Sequence, residues 1–139
     1  GRPAGRHVCP TTYGAAEAYY LVIREMKGNL DGFSLRVPTP TGSIIDLDVE
    51  TEKPTTEDDV NAMMRKWSES PRMKGILGVT DEPLVSSDFR GDAHSSTIDG
   101  LSTMMVGDNF LKVIAWYDNE WGYSSRVADL THFVGERLS

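Results

Sequence analysis

The sequence is short of the side chains that build chemistry in clusters. It has a single cysteine, Cys9, which excludes an intrachain disulfide and a thiolate metal cluster and fits a reducing compartment. Its three histidines, His7, His94 and His132, lie far apart and show no metal-ligand spacing, so no resident metal is expected. No apolar run approaches the roughly 20 residues of a membrane span, and no secretory signal pattern opens the chain. Basic residues are outnumbered, 14 against 21 acidic, for a net charge of −7. The basic footprint of a general nucleic-acid binder is therefore missing. There is no Gly-x-Gly-x-x-Gly turn, no Gly-Lys-Ser/Thr phosphate loop, no internal repeat and no low-complexity tract. Position 1 is glycine rather than methionine, which points to a processed, truncated or fragmentary chain.

What is present suffices for about one domain with a real core: 139 residues of ordinary globular composition. Residues 1–10 show no period and read as a loop. Thr11 or Thr12 can cap a helix whose apolar face runs through Ala15, Ala18, Tyr19, Val22 and Met26, with Gly28 to end it. Phe33 to Val37 alternates as a strand and Pro38-Thr39-Pro40 stops it. Ile44 to Val49 reads as a second strand, with Ile45, Leu47 and Val49 on one face. Pro54 to Asp59 opens a helix with a threonine cap and acids in the first turn. Val60, Met63, Met64 and Trp67 form its core stripe.

Ile76 to Val79 and Leu84-Val85 are short strand candidates, followed by a polar stretch from Ser86 to Ser96. Met104 to Val106 and Phe110 to Trp116 bracket Gly107-Asp108-Asn109 as a hairpin. A last helix runs from about Glu120 to Leu138, with Val127, Leu130, Phe133, Val134 and Leu138 on its apolar side. Strands in runs with few helices between them predict an α+β fold, not a βαβ nucleotide fold. The expected architecture is a mixed, largely antiparallel sheet with helices on one face, ending in a long C-terminal helix.

Several residues have both a chemical and a plain structural reading. Arg36, on the polar face of a strand, can grip a phosphate or carboxylate with two parallel bonds; equally it can pair with Asp46 or Asp48. Thr11-Thr12-Tyr13-Gly14 has the composition of an anion-binding helix start and of ordinary capping. The densest polar and aromatic stretch is Trp116 to Tyr123, at the end of the apolar run Leu111 to Ala115. There Asn119 can offer its amide to a carboxamide or carbonyl, or serve as turn or cap. Tyr117 and Tyr123 can line a pocket or pack as aromatics with satisfied hydroxyls. Cys9 lies outside the expected helix start, with only His7 near it in sequence as a base, and is not taken as a nucleophile. His94 is open between an exposed polar residue and a general acid.

Leu35 to Pro40 resembles the Arg-Val-Pro-Thr-Pro motif of phosphorylating glyceraldehyde-3-phosphate dehydrogenases. Lys74 to Gly78, Leu84 to Phe89, Ser95 to Asp99, Trp116 to Glu120, Gly122 to Ser124 and Arg126-Val127 follow in that family's order. Each motif alone is weak; their joint order is specific and covers nearly the whole chain. The resemblance implies that residues 1–139 are the C-terminal part of the catalytic domain. The Rossmann domain, the nucleophilic cysteine and its histidine base then belong to sequence not present here. It implies NAD or NADP as cofactor of the parent enzyme, and triose phosphate and inorganic phosphate as its partners. It further implies a cytoplasmic setting, and assembly as a homo-oligomer or with the missing N-terminal half.

By the same resemblance Arg36 binds a phosphate, and Thr12, Tyr13 and Gly14 fall at a second phosphate pocket. Tyr13 departs there from the family's threonine, and its bulk puts that pocket in question. Asn119 holds the nicotinamide carboxamide, and Tyr117 packs beside the catalytic histidine. The helix after Gly122 docks onto the nucleotide domain. The chain alone is then inactive and binds no cofactor. Other readings are a catalytically dead assembly module, half of a split dehydrogenase, and a piece of an erythrose-4-phosphate dehydrogenase.

Overall fold

A computed structural model of the chain describes residues 7–12, 18–19 and 21–138, which belong to two compact units, residues 1–40 and 41–139. The first unit holds a two-stranded antiparallel sheet of β1 (Cys9–Thr12) and β2 (Phe33–Arg36), with Cys9 opposite Arg36 and Thr12 opposite Phe33. Residues 18, 19, 21 and 22 are helical, a 3-10 turn spans Arg24–Met26, and Gly28 follows with φ of 83°. That left-handed geometry suits glycine and lets it end a helix.

Two expectations fail in this unit. Cys9 and Pro10 are strand instead of loop, and Thr11 and Thr12 continue the strand instead of capping a helix. The ladder that holds them comes from a partner strand far along the sequence, which a local period does not register. Ala15, expected within the helix, lies outside the described residues.

The second unit is built on a four-stranded sheet. Its strands are β3 (Ser43–Glu50), β4 (Leu77–Thr80), β5 (Ser96–Val106) and β6 (Phe110–Tyr117), in the order β3-β6-β5-β4. The β3/β6 and β5/β6 pairs are antiparallel and β4/β5 is parallel. The fold is therefore α+β with a mixed, largely antiparallel sheet, as the sequence predicts. Helix α1 (Glu57–Ser68) packs on β4 and β5, and helix α2 (Trp121–Leu138) follows β6. The hairpin is also as expected: Val106 faces Phe110, and Gly107 takes φ of 67° in the turn.

Strand β5 is longer than its sequence suggests, because most of residues 96–103 are polar or glycine and only Met104 to Val106 reads as strand. Their polarity is used internally. The Asp99 carboxylate accepts from the backbone N–H groups of Leu101 and Ser102 and from Ser102 Oγ, across a register shift between Asp99 and Met104. Leu84-Val85 is not a strand; it leads into a 3-10 helix at Ser86–Phe89.

The core of the second unit is Val60, Ile98, Leu111, Val113 and Ala115, with Ile45, Val49, Met64, Leu77, Val79 and Met105 packed against it. Alternation along β3 and β6 delivers their residues to this one face. Helix α1 opens on Thr56, whose Oγ1 accepts from the Asp59 N–H at 3.2 Å, as its sequence predicts. Its apolar stripe is narrower than expected: Val60 and Met64 reach the core, whereas Met63 and Trp67 are about half exposed. Asn61 takes the buried place beside Val60. Its Nδ2 donates to the Gly100 carbonyl at 2.9 Å and its Oδ1 accepts from Thr103 Oγ1 at 2.7 Å. With both ends of the amide matched, burial costs little. Asn61→Ala leaves a carbonyl and a hydroxyl unpaired in the core, and is expected to lower stability by about 2 kcal/mol, read as a lower urea midpoint at unchanged slope.

Along α2, Val127, Leu130, Phe133, Val134 and Leu138 are all substantially exposed. An apolar stripe of this kind calls for a covering surface.

Candidate functional site

Strand β6 runs out at Tyr117, and the chain turns into α2 over Asp118, Asn119 and Glu120. Asp118 makes the turn. Its carboxylate is buried (7% exposed) and holds three backbone amides. Oδ1 accepts from Glu120 N at 3.0 Å and Trp121 N at 2.9 Å; Oδ2 accepts from Gly91 N at 3.0 Å. The first two bonds satisfy amides that a helix start leaves open, and a negative charge suits that end of the helix dipole. The third ties the turn to the loop before β5. The Gly91 amide first and then that of Trp121 hold the Asp118 carboxyl below the usual carboxylate range, against the opposing effect of burial.

The loop that includes Gly91 is itself cross-braced. Asp92 Oδ1 accepts from His94 N at 3.1 Å and meets His94 Nδ1 at 2.7 Å, while Oδ2 accepts from Thr97 Oγ1 at 3.0 Å. Burial pushes the Asp92 carboxyl up, but the hydrogen bonds from His94 and Thr97 outweigh it and the net shift is downward. Arg126 on α2 donates to the Gly75 carbonyl at 3.2 Å and to Ser95 Oγ at 3.4 Å. Gly122 packs on the loop so closely that a Cβ there would stand 2.7 Å from the His94 carbonyl oxygen.

Asn119 is therefore mounted on a rigid turn. Its side chain is exposed, and its Nδ2 donates to Ser43 Oγ, at the start of β3, at 2.6 Å. Tyr117, paired opposite Ser43, is half-buried, whereas Tyr123 on the first turn of α2 is 73% exposed. Trp116 is fixed one residue earlier. Its indole N–H donates to Asp99 Oδ2 at 3.2 Å, and its ring stacks on Phe89 with centroids 5.7 Å apart.

The structure brings Tyr117 and Asn119 together at one strand end and separates the phosphate candidates of the first unit. Thr12 and Arg36, both exposed, stand at opposite ends of the β1/β2 ribbon. Tyr13 and Gly14 lie outside the described residues. The acids considered as partners for Arg36, Asp46 and Asp48, are both held by Lys112. Half-buried Cys9 sits in β1 opposite Arg36. Among the described residues no group of three or more His, Cys, Asp or Glu is placed to hold a metal ion. No described helix is long and apolar enough to cross a membrane.

The pair Asp118-Asn119 reads in sequence as turn and cap chemistry at the end of an apolar run, and the geometry assigns the cap to Asp118. Ser43 and Asp92 are not singled out by the sequence. Asp92 had a local signal, an acid two residues before a histidine in a polar loop. Ser43 had none, since its partner is far along the chain.

The family model of the glyceraldehyde 3-phosphate dehydrogenase C-terminal domain matches residues 1–119. Glyceraldehyde-3-phosphate dehydrogenase of Borreliella burgdorferi is 53% identical over 130 residues, covering 93% of this chain and 39% of the relative. Glyceraldehyde-3-phosphate dehydrogenase 2 of Streptomyces avermitilis is 49% identical over 137 residues, 99% of this chain and 41% of the relative. A chloroplastic glyceraldehyde-3-phosphate dehydrogenase of Arabidopsis thaliana is 53% identical over 137 residues, 98% of this chain and 30% of the relative. The chain thus spans between 30% and 41% of the length of these curated relatives.

Proposed function

The chain belongs to the glyceraldehyde 3-phosphate dehydrogenase C-terminal domain family, and from that premise we propose that it is the C-terminal catalytic-domain portion of a phosphorylating dehydrogenase. The reaction is oxidation of glyceraldehyde 3-phosphate to 1,3-bisphosphoglycerate with NAD or NADP and inorganic phosphate. The nucleotide-binding domain, the nucleophilic cysteine and its histidine base are then supplied by sequence beyond these 139 residues, in the same polypeptide or a second one. In this reading the protein is cytoplasmic and oligomeric; the family also includes chloroplastic members.

The observation that carries the reading at the level of chemistry is the mounting of Asn119. The side chain is exposed, its turn is fixed by Asp118, and among the described residues no donor meets its Oδ1. These features fit an amide that accepts from the carboxamide of a nicotinamide ring. When bound, the nicotinamide serves as hydride acceptor. The task of Asn119 is to select which ring face meets the substrate, and fixing that geometry beforehand lowers the barrier. Tyr117 and Tyr123 line the same region. Arg36 holds a substrate phosphate or the attacking phosphate by charge-assisted bonds, and Thr12, Tyr13 and Gly14 contribute at a second phosphate position. The exposed stripe of α2 docks onto the nucleotide domain.

Two experiments test this. In the complete protein, Arg36→Leu is expected to raise KM for inorganic phosphate or triose phosphate by about ten- to a hundredfold, the range for losing a bond to a charged group. An unchanged KM for both removes Arg36 from the site. The isolated chain is expected to show no aldehyde-dependent reduction of NAD or NADP, and to self-associate through α2. Turnover by the isolated chain that survives Cys9→Ser contradicts the covalent cysteine mechanism, and turnover that Cys9→Ser abolishes makes Cys9 the nucleophile. A monomer by sedimentation with no binding of a hydrophobic dye contradicts an uncovered docking helix.

A further inference from the structure

Asp-Gly occurs twice in the chain, at Asp31-Gly32 and Asp99-Gly100, and the fold treats the two pairs in opposite ways. An aspartate before glycine is open to reaction with its own main chain. The glycine amide nitrogen can attack the side-chain carboxyl carbon, because no Cβ on the next residue obstructs the approach or restricts the peptide. Proximity and freedom to turn then decide the rate. Asp31 has both. Asp31 and Gly32 are exposed and lie in irregular chain between the 3-10 turn and β2. The Gly32 N–H donates to Asp31 Oδ1 at 2.7 Å, so the nitrogen already stands against the carboxyl whose carbon, one bond from that oxygen, it must reach. Asp99 has neither. Its carboxylate is 7% exposed and is taken up by Leu101 N, Ser102 N, Ser102 Oγ and Trp116 Nε1, none of them the Gly100 amide. Gly100 lies inside β5, and its carbonyl accepts from Asn61 Nδ2, so that peptide is pinned.

We propose that Asp31-Gly32 is a self-modification site, where aspartate isomerises through a cyclic imide to isoaspartate and so presents a substrate for a carboxyl methyltransferase of the isoaspartate-reading class. In the first step the carboxylate takes a proton from solvent and the Gly32 nitrogen bonds to Asp31 Cγ. One C–O bond of the carboxyl breaks, and its oxygen leaves as water with the acid proton and the amide proton. In the second step water adds to the imide. Attack at Cγ restores aspartate. Attack at the main-chain carbonyl carbon of Asp31 leaves Gly32 joined through Cγ and frees an α-carboxylate, the group that such a methyltransferase esterifies. One water is lost and one regained, so mass is unchanged and no oxidant or reductant is needed. The main chain gains one methylene two residues before Phe33, where the β1/β2 pairing begins. The change therefore falls on the ribbon of the first unit.

The test uses the complete protein carrying this chain, aged at neutral pH and physiological temperature, once folded and once unfolded in guanidinium chloride. Tryptic peptides 28–36 and 91–112 are followed with time, and electron-transfer fragmentation distinguishes isoaspartate from aspartate at each position. Methyl transfer by an isoaspartyl methyltransferase gives an independent count. In the unfolded protein the two sites are expected to react at similar rates. On folding, the rate at Asp99 is expected to fall about a hundredfold, the cost of holding reacting atoms out of line, and the rate at Asp31 to stay at or above its unfolded value. Gly32→Val puts a branched side chain against the approach and is expected to remove the isoaspartate at position 31. Gly32 is not among the described glycines with a left-handed φ, so its main chain accepts a side chain.

Slowing at Asp31 on folding overturns the proposal, since the folded chain then protects the site. Isoaspartate at Asp31 that forms undiminished in Gly32→Val overturns it too, because the Gly32 amide is then not the attacking group. If Gly32→Val does not fold, the comparison of folded with unfolded wild type decides alone.

Discussion

Asp118→Ala is expected to destabilise the second unit by about 3 kcal/mol. The substitution removes one side chain but orphans three donors: the backbone N–H groups of Gly91, Glu120 and Trp121. The last two belong to the first turn of α2, where losing a cap costs about 1 kcal/mol on its own. The Gly91 amide belongs to a different segment, so the loop before β5 loses its tie to the turn as well. Asp118→Asn is expected to fall between wild type and Asp118→Ala, because its Oδ1 can keep the helix bonds. Its amino group then faces the Gly91 amide, donor against donor.

The pH dependence carries the same information with a fixed sign. The folded-state pKa of Asp118 is lowered, so its contribution is fully present above the ordinary carboxylate value of about 4. It is lost as pH falls through the folded value. Urea titrations at neutral pH and at successively lower pH should show the gap between wild type and Asp118→Ala closing below that range. A gap that persists undiminished in acid means the carboxylate is not the source of the stability. Asp92, also lowered, keeps some acid sensitivity in the variant.

The elements legible in the sequence are those whose cause is local. Helix α1 announces itself by Thr56, three acids in its first turn and a periodic face. Strand β3 does so by alternation, β6 by its apolar run, and the hairpin by Gly107. Where the cause is a partner elsewhere in the chain, reading along the sequence fails. Thr11 and Thr12 look like helix caps until β2 pairs with them. Residues 97–103 carry no strand pattern, and Asp99 serves its own neighbours inside the strand. Asn61 is polar and off the apolar stripe, yet it is buried beside Val60, because Gly100 and Thr103 meet both ends of its amide.

The candidate site divides in the same way. Asn119 was visible as a polar residue at a strand end, and the family's motifs pointed to it. The parts that hold it, Ser43 and the loop around Asp92, are joined to it only by the fold. Sequence therefore pointed to the candidate residue and missed the groups that hold its turn.

Gly122→Val should destabilise by about 3 kcal/mol, at the upper end of ordinary overpacking costs, and the companion Gly122→Ala separates two opposing effects. Gly122 is in the first turn of α2, where replacing glycine by alanine gains at most the roughly 1 kcal/mol of helix propensity seen in helix interiors. Propensity alone thus predicts a stabilised Gly122→Ala. The packing predicts the reverse, because the new Cβ would stand 2.7 Å from the His94 carbonyl oxygen, and this neighbour is backbone in a loop braced by Asp92, Thr97 and Arg126. Either the loop or α2 must shift, and Gly122→Ala is expected to come out about 2 kcal/mol less stable once the helix gain is counted. Gly135, in the same helix with nothing within 4 Å of an added Cβ, supplies the control: Gly135→Ala should stabilise by about 0.5–1 kcal/mol. Opposite signs at the two glycines, measured by urea unfolding under one set of conditions, identify contact with the 90–96 loop as the constraint on Gly122. Stabilisation at both would mean that α2 stands clear of that loop, and the close packing described for Gly122 would be wrong.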